Sequence, residues 1–356
     1  VAVLTEEQTM LRDMAREWAD NESPVTAFRK MRDAAPAAFY DAAAWQAQGE
    51  MGWAGILVPE ARGGAGMGYL SLGLVLEQLG RTLAATPLAA TAAATSALIL
   101  GGSEAQQAEW LPRIAAGDVV AALATDEGPR FAPDKIATIV EGGKLSGTKE
   151  FVAEGDSAHL FVVAATDGLY LVSGDEGVTR SPRKLTDSRS HAQIRFDGAP
   201  AEKLEGGTDL LTQVTDRAAA ALCAEMLGMA EAAFAQTNDY LKTRVQFGQV
   251  LASFQALQHR MAKMFTELEL MRSVVEGALE AIDSGRANVS QEVSLAKAVS
   301  GETLHLVSRE MVQLHGGIGM TDEHDAGFTL KRARVLEAMW GNAAWHRERF
   351  AQLNGY

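Results

Sequence analysis

The sequence predicts a mostly α-helical fold with a small β-rich segment in its middle, and three observations carry that prediction. All nine prolines lie at or before Pro200 in a chain of 356 residues. The long proline-free tract that follows is rich in Ala, Leu, Met, Glu and Arg, a composition of long helices, because proline breaks helix interiors. Between about 118 and 205 the pattern changes to short apolar runs separated by glycine-containing turns. The order is therefore helices, a small sheet, then a helical bundle.

The N-terminal region reads as helical from its first residues. Thr5 followed by Gln8 is a capping-box signature ahead of the run Met10-Leu11-Arg12-Asp13-Met14. Pro59-Glu60-Ala61-Arg62-Gly63-Gly64-Ala65-Gly66 reads as a loop between helices. The stretch from Leu83 to Leu100 is apolar but holds Pro87 and several threonines, which predicts a packed helix and not a membrane span.

In the middle segment, Val119–Ala124, Ala137–Val140, Leu160–Ala164 and Leu169–Val172 are strand-like runs. Gly-Gly, Asp-Gly and Gly-Asp pairs between them predict hairpins. Beyond Pro200, Leu222, Met226, Met229 and Ala233 recur at helical spacing, as do Leu257, Met261, Met264 and Leu268. Both stripes read as core. Gly285, Gly316, Gly317, Gly319 and Gly327 punctuate the tract into about four helices. The predicted division is a helical domain over 1–117, a middle β domain over 118–207 and a helical bundle over 208–356. No internal repeat or low-complexity linker interrupts it.

Composition excludes several classes. With 47% hydrophobic and 22% charged residues the chain has ample apolar mass for a core, unlike a disordered protein. Its 32 basic and 46 acidic residues give a net charge of −14 with no Lys/Arg cluster, which argues against nucleic-acid binding. One cysteine, Cys223, excludes an intrachain disulfide or a cysteine zinc cage and reads as a buried thiol in an Ala/Met/Leu helix. Leu4-Thr5-Glu6-Glu7-Gln8 lacks the basic-then-apolar order of a signal peptide. A cytoplasmic protein with no membrane association is expected.

No G-x-G-x-x-G follows a strand, and G-x-S-x-G and H-E-x-x-H are absent. Gly142–Lys149 mimics a P-loop but has Thr148 where the lysine must be, so a hairpin turn is the better reading. The seven histidines sit singly, His315 and His324 being nearest to a pair, and none has metal-ligand spacing. What remains is Arg244-Val245-Gln246-Phe247-Gly248 with Phe254-Gln255, and Gln313-Leu314-His315-Gly316-Gly317-Ile318-Gly319. An arginine at a helix end can pair with a phosphate, and adjacent glycines let a ligand approach the backbone. Read on the residues alone, capping glycines and a surface arginine are the simpler account.

Taken in order, these blocks make the chain resemble the acyl-CoA dehydrogenases over essentially its whole length. The similarity runs through Leu4–Gln8, Val58-Pro59-Glu60 with Gly63-Gly64, and Glu77-Gln78-Leu79-Gly80-Arg81. It continues through Arg244-x-x-Phe247-Gly248, Phe254-Gln255 and Gln313-x-x-Gly316-Gly317-x-Gly319. The resemblance implies an N-terminal helical domain, a central β-barrel and a C-terminal four-helix bundle. It also implies a tetramer that binds FAD, dehydrogenates an acyl-CoA thioester between its α and β carbons and passes electrons to an electron-transfer acceptor. The cofactor-binding positions it implies are Thr125, Arg244, Phe247, Phe254, Gln255, Gln313, Gly316 and Gly317, with no metal.

That chemistry needs a carboxylate to take the α proton and donors to the thioester oxygen. In the family the usual base is a glutamate before Gly-Thr near the C-terminus. The matching stretch here is Leu336-Glu337-Ala338-Met339-Trp340-Gly341-Asn342, which puts Trp340 at the base position. The second family position falls in Arg217-Ala218-Ala219-Ala220, which has no carboxylate. Glu337 and Glu225 lie nearby and read as structural, so no catalytic residue is assigned. The flavin-ring elements are altered too. Thr125 is kept in Thr125-Asp126-Glu127-Gly128-Pro129-Arg130-Phe131, but the expected serine is replaced near Phe131. In Lys149-Glu150-Phe151-Val152-Ala153-Glu154-Gly155, Ala153 stands where a hydroxyl donor would be.

The elements that reach a neighbour's cofactor in the family are thus present, while those serving a chain's own flavin and substrate are altered. The pattern implies the base-lacking subunit of an α2β2 heterotetramer, paired with a homologous catalytic subunit. The resemblance extends to actinobacterial enzymes acting on steroid side-chain CoA thioesters. Two alternatives stand beside it: a homo-oligomeric flavin oxidase or monooxygenase on the same fold, and a non-enzymatic homologue.

Overall fold

The computed structural model describes residues 3–35 and 40–356. The chain forms two compact units, each drawn from separate stretches. The first holds the N-terminal stretch to Phe28, Gly73–Ala84 and Ala220–Tyr356, and the second holds Arg29–Leu72 and Ala85–Ala219.

Six helices open the chain: α1 (Glu6–Glu22), α2 (Val25–Ala34), α3 (Ala42–Glu50), α4 (Gly68–Arg81), α5 (Leu88–Gly101) and α6 (Glu104–Ala115). The predicted capping box forms, with the Gln8 amide on Thr5 Oγ1 and the Thr5 amide on Gln8 Oε1, both at 3.1 Å. Ser103 and Gln106 build a second one on α6. The apolar stretch around Pro87 is helical from Leu88, with almost every side chain buried. The Pro59–Gly66 loop contains one 3₁₀ turn, Glu60–Arg62.

The C-terminal tract gives α7 (Gly207–Thr243), α8 (Gln255–Asp283), α9 (Val289–His315), α10 (Ala326–Ala338) and α11 (Ala343–Leu353). That is one helix more than expected, because Met339–Gly341 breaks the last helical segment at Gly341, a glycine the predicted punctuation did not include. Leu222, Met226, Met229 and Ala233 are all buried, as are Met264 and Leu268, whereas Leu257 and Met261 are half-buried. Cys223 is buried in α7, where desolvation pushes its thiol up to about 11. Asp209–Thr243 is long and apolar enough to cross a membrane, yet 78% of its apolar window is buried inside the protein, as in a core helix.

Within the first unit α4 and α7 cross backbone to backbone. A Cβ on Gly228 would lie 1.8 Å from the Glu77 carbonyl oxygen, and one on Gly80 would lie 2.3 Å from that of Glu225. The reciprocal pair explains the glycine of Glu77-Gln78-Leu79-Gly80-Arg81 as a packing requirement.

The second unit contains β1 (Ala121–Ala124), β2 (Ile139–Glu141), β3 (Lys144–Ala153), β4 (Leu160–Ala165), β5 (Gly168–Ser173), β6 (Val178–Pro182), β7 (His191–Pro200) and β8 (Glu202–Lys203). The hairpin at Gly142-Gly143 forms as predicted, joining β2 to β3, and a second joins β4 to β5 through Thr166-Asp167, with Gly168 opening β5 opposite Ala165. β1 instead pairs parallel with β4.

The expected β-barrel is not supported. The strands form two four-stranded sheets, ordered β1-β4-β5-β8 and β2-β3-β7-β6, with no ladder between them among the described residues. Closing a barrel requires ladders along every strand. Here the edge strands β2 and β8 have three and two residues, too short to carry one onward. Register shifts at Leu145/Gly147 and Lys149/Val152 bend β3. The inner faces of the two sheets share one apolar core, with Phe161 and Phe196 in edge contact at 5.9 Å.

Candidate functional site

At one end of the bundle, α7 runs into a tight hairpin. The Arg244 amide bonds the Tyr240 carbonyl and the Leu251 amide bonds the Arg244 carbonyl, both at 2.8 Å. Between them lie β9 (Val245–Gln246) and β10 (Gln249–Val250), paired antiparallel. The two turn residues, Phe247 and Gly248, have φ of +55° and +81°. Both central residues of such a turn need positive φ, which is why a glycine follows Phe247. Phe247 is 88% exposed and meets the Phe254 ring edge-on at 6.2 Å. Phe254 caps α8, and Gln255 is its first residue.

The second element is the end of α9. Gly316, at φ +66°, bonds back to the Gln313 carbonyl and opens a 3₁₀ turn over Gly316–Met320. Tyr240 ties the two elements together, stacking on His315 at 4.4 Å and donating its hydroxyl to the His315 carbonyl at 3.3 Å. His324 lies against the other side of the cluster, 4.4 Å from the His315 ring. Burial, first, holds His315 below its ordinary pKa, and the neighbouring His324 adds to the effect. His315 Nδ1 donates to the Met311 carbonyl at 2.7 Å.

Seven predicted positions therefore gather at this end: Arg244, Phe247, Phe254, Gln255, Gln313, Gly316 and Gly317. Arg244, Gln255 and Gln313 are exposed, and their side chains have no hydrogen bond or ion pair among the described residues. A Cβ on Gly316 or Gly317 would meet nothing within 4 Å. Val245, Phe247, Ile318 and Met320 add exposed apolar surface. Free donors beside open backbone and bare apolar surface can receive an anionic ligand or a second chain.

Thr125, the eighth position, lies in the other unit. It follows β1, is buried, and its carbonyl accepts from Lys149 Nζ at 3.3 Å. Lys149, fully buried, pairs with Glu127 at 2.7 Å. Glu127 also accepts from the Ala137 and Thr138 amides and the Thr138 hydroxyl, clipping shut the loop between β1 and β2. Burial pushes the Glu127 carboxyl up, but bonds from Lys149, Thr138 and Ala137 outweigh it and hold it below its ordinary value. Asp126 is raised to about 6, mainly by burial. Phe131 is buried, and Ala153 ends β3 opposite His191. Phe151 takes φ +52°, a local kink at the β3 bulge.

The two nearby acids are engaged. Glu225 Oε1 accepts from Arg332 Nε and Nη2 at 3.0 and 2.7 Å in the core. Glu337 lies 2.8 Å from Arg334 and 3.3 Å from His305 Nδ1. Trp340 is buried at φ +49°. Sequence reasoning missed two residues beside it, Lys297 and His346, because one buried lysine and one buried histidine have no spacing signature.

The model of the acyl-CoA dehydrogenase C-terminal domain matches residues 205–353, and that of the N-terminal domain residues 5–118. The chain is 32% identical to acyl-CoA dehydrogenase IpdE2 of Mycolicibacterium smegmatis, over 95% of this chain and 96% of the relative. Among solved structures it is similar to a variant of the Tcur3481-Tcur3483 steroid ACAD, with TM-score 0.92 and 29% identity over 98% of each chain. It is also similar to the ChsE4-ChsE5 complex from Mycobacterium tuberculosis, with TM-score 0.91 and 26% identity over 99% of each chain. On matches of this extent, the chain belongs to the acyl-CoA dehydrogenase family, oxidoreductases acting on CH–CH bonds.

Proposed function

We propose that this chain is the base-lacking subunit of a heteromeric, FAD-dependent acyl-CoA dehydrogenase. In this reading it lends the end of its helical bundle to the cofactor of a homologous catalytic subunit in an α2β2 assembly. One observation carries the reading. The Arg244–Gln313 end is open and its donors are unspent, whereas the turn matching the family's base holds a buried tryptophan. Two similar solved structures are named for a steroid enzyme and for a two-protein complex, which favours a bulky polycyclic acyl-CoA substrate and a heteromeric partner.

The bundle end fits FAD. An unpaired guanidinium, a free amide and glycines with open space suit a diphosphate and its adenosine. Ala153 and Phe131 offer no side-chain donor, so the second unit fits a flavin ring less well. When bound, FAD supplies the acceptor for the hydride leaving the β carbon. This chain's part is to hold the anionic half with Arg244, to present Gln313 and the Gly316-Gly317 backbone, and to cover the site with Phe247 and Phe254. The α proton goes to a carboxylate on the partner. An electron-transfer acceptor is the further partner this reading requires.

Native mass spectrometry of the protein purified from its own organism tests this. Two similar chain types with one FAD per pair are expected. A homotetramer carrying one FAD per chain would overturn the reading.

A further inference from the structure

The connection between α10 and α11 is held more tightly than a short surface turn requires. It consists of Met339, Trp340 and Gly341, followed by Asn342 as the N-cap of α11. Trp340 and Gly341 both have positive φ, +49° and +96°. At Gly341 no other residue fits, since a Cβ there would lie 2.7 Å from the Trp345 ring and 2.9 Å from His346. A tryptophan in the left-handed region is disfavoured by its side chain and persists only where its surroundings over-determine it.

Lys297 supplies the first restraint. It reaches from α9, fully buried, and Nζ donates to the carbonyls of Leu336 at 3.1 Å, Glu337 at 3.3 Å and Gly341 at 2.8 Å. Three carbonyls use all three ammonium protons. Two of them belong to the last turn of α10, where carbonyls lack helical partners and the helix dipole is negative. The third lies beyond Trp340, so a single side chain bridges the turn from both sides. His346 supplies the second restraint. Buried in α11, it places Nε2 2.9 Å from the Trp340 carbonyl, which makes Nε2 the protonated nitrogen. Among the described residues its Nδ1 is buried with no side-chain or backbone partner.

The Trp340 carbonyl and that of Gly341 after it are thus anchored, as are those of Leu336 and Glu337 in the turn before. We propose that Lys297 and His346 are positioning residues that clamp this turn and hold the Trp340 indole as a rigid plug, so that this chain accepts no acyl-CoA of its own. What the plug excludes rests on the function proposed above; the clamp rests on the hydrogen bonds alone.

The test uses the full chain, with its co-purifying partners, labelled with 5-fluorotryptophan. Fluorine NMR reads each indole, and Trp340→Phe assigns the relevant line. The wild type is expected to show one sharp Trp340 resonance. Lys297→Met and His346→Leu should each split or broaden it while the lines of Trp18, Trp45, Trp53 and Trp110 stay in place. His346→Gln, which keeps an N–H donor, should restore the single line. An unchanged Trp340 line in the disrupted variants overturns the clamp, whatever the subunit composition proves to be. Should Lys297→Met fail to fold, His346→Leu against His346→Gln decides the matter.

The plug is tested separately by native mass spectrometry with a non-oxidisable acyl-CoA thioether. Trp340→Gly should raise the bound count from one to two per heteromeric pair. A count that stays at one overturns the plug, and this readout is independent of the chain and FAD counts that test the heteromer.

Discussion

Glu77 lies in the first unit beside Glu231 and Arg272, the latter 4.0 Å away. Burial, and then the Glu231 charge, raise its carboxyl from 4.5 to about 7. A carboxyl raised on folding binds more protons in the native state between those values, so its contribution is present below about 4.5 and is lost as pH rises through about 7. Glu77→Gln should therefore flatten the pH dependence of stability across that window and stabilise the chain at pH 8 by about 1–3 kcal/mol. Urea unfolding at acid and alkaline pH measures both effects, and an unchanged slope would contradict the buried-carboxyl account. The Glu225–Arg332 pair predicts the opposite kind of result. Glu225→Ala removes the carboxylate that accepts two of the Arg332 N–H groups in the core and should cost about 3–5 kcal/mol, while Glu225→Leu combined with Arg332→Met should recover part of the loss. A double variant as unstable as the single one would show that the pair does more than neutralise charge.

At the scale of elements, the α4–α7 crossing and the first turn of α10 contrast two glycines. Gly228→Ala drives a methyl to 1.8 Å from a backbone carbonyl, so the helices must part at a cost of about 3 kcal/mol. Gly327→Ala meets nothing within 4 Å in the first turn of a helix and should gain up to about 0.5 kcal/mol. Thermal unfolding of the two variants should move in opposite directions; movement in the same direction would remove the packing explanation. The sequence announced most elements through period and punctuation. Thr5 and Gln8 marked the first helix, Gly142-Gly143 a hairpin, and the methionine stripes the bundle core. It was silent on the parallel pairing of β1 with β4, because a parallel partner is chosen by the sheet as a whole. At Met339–Gly341 its only signal was Gly341-Asn342, a glycine followed by a helix N-cap, while the bonds from Lys297 and His346 come from other helices.

At the scale of the molecule, the proposed function rests on a bundle end whose donors are open and unspent. Arg244 has no partner among the described residues, so Arg244→Ala should leave the unfolding midpoint within about 0.5 kcal/mol of wild type. On the proposed function it should nonetheless lower the FAD content of the purified complex, read from flavin absorbance per chain. Full FAD retention in that variant would count against donation to a partner. Phe247, Ile318 and Met320 surround the same end with exposed apolar surface, as a chain that meets another chain would.

By itself the sequence determined the helix–sheet–helix order, the first capping box, the core stripe of α7 and the family, and it named the residues that line the bundle end. Those features are local: each is written in spacing, caps and turn residues within a few positions of one another. Only the tertiary structure decided that the middle strands form two sheets and not a barrel. Only it showed that Glu225 and Glu337 are engaged by arginines, and that Trp340 is locked by a lysine and a histidine distant in sequence or set in the next helix. The reason is physical. Burial and hydrogen-bond satisfaction depend on which groups the fold brings within about 3 Å, and no local pattern encodes that pairing.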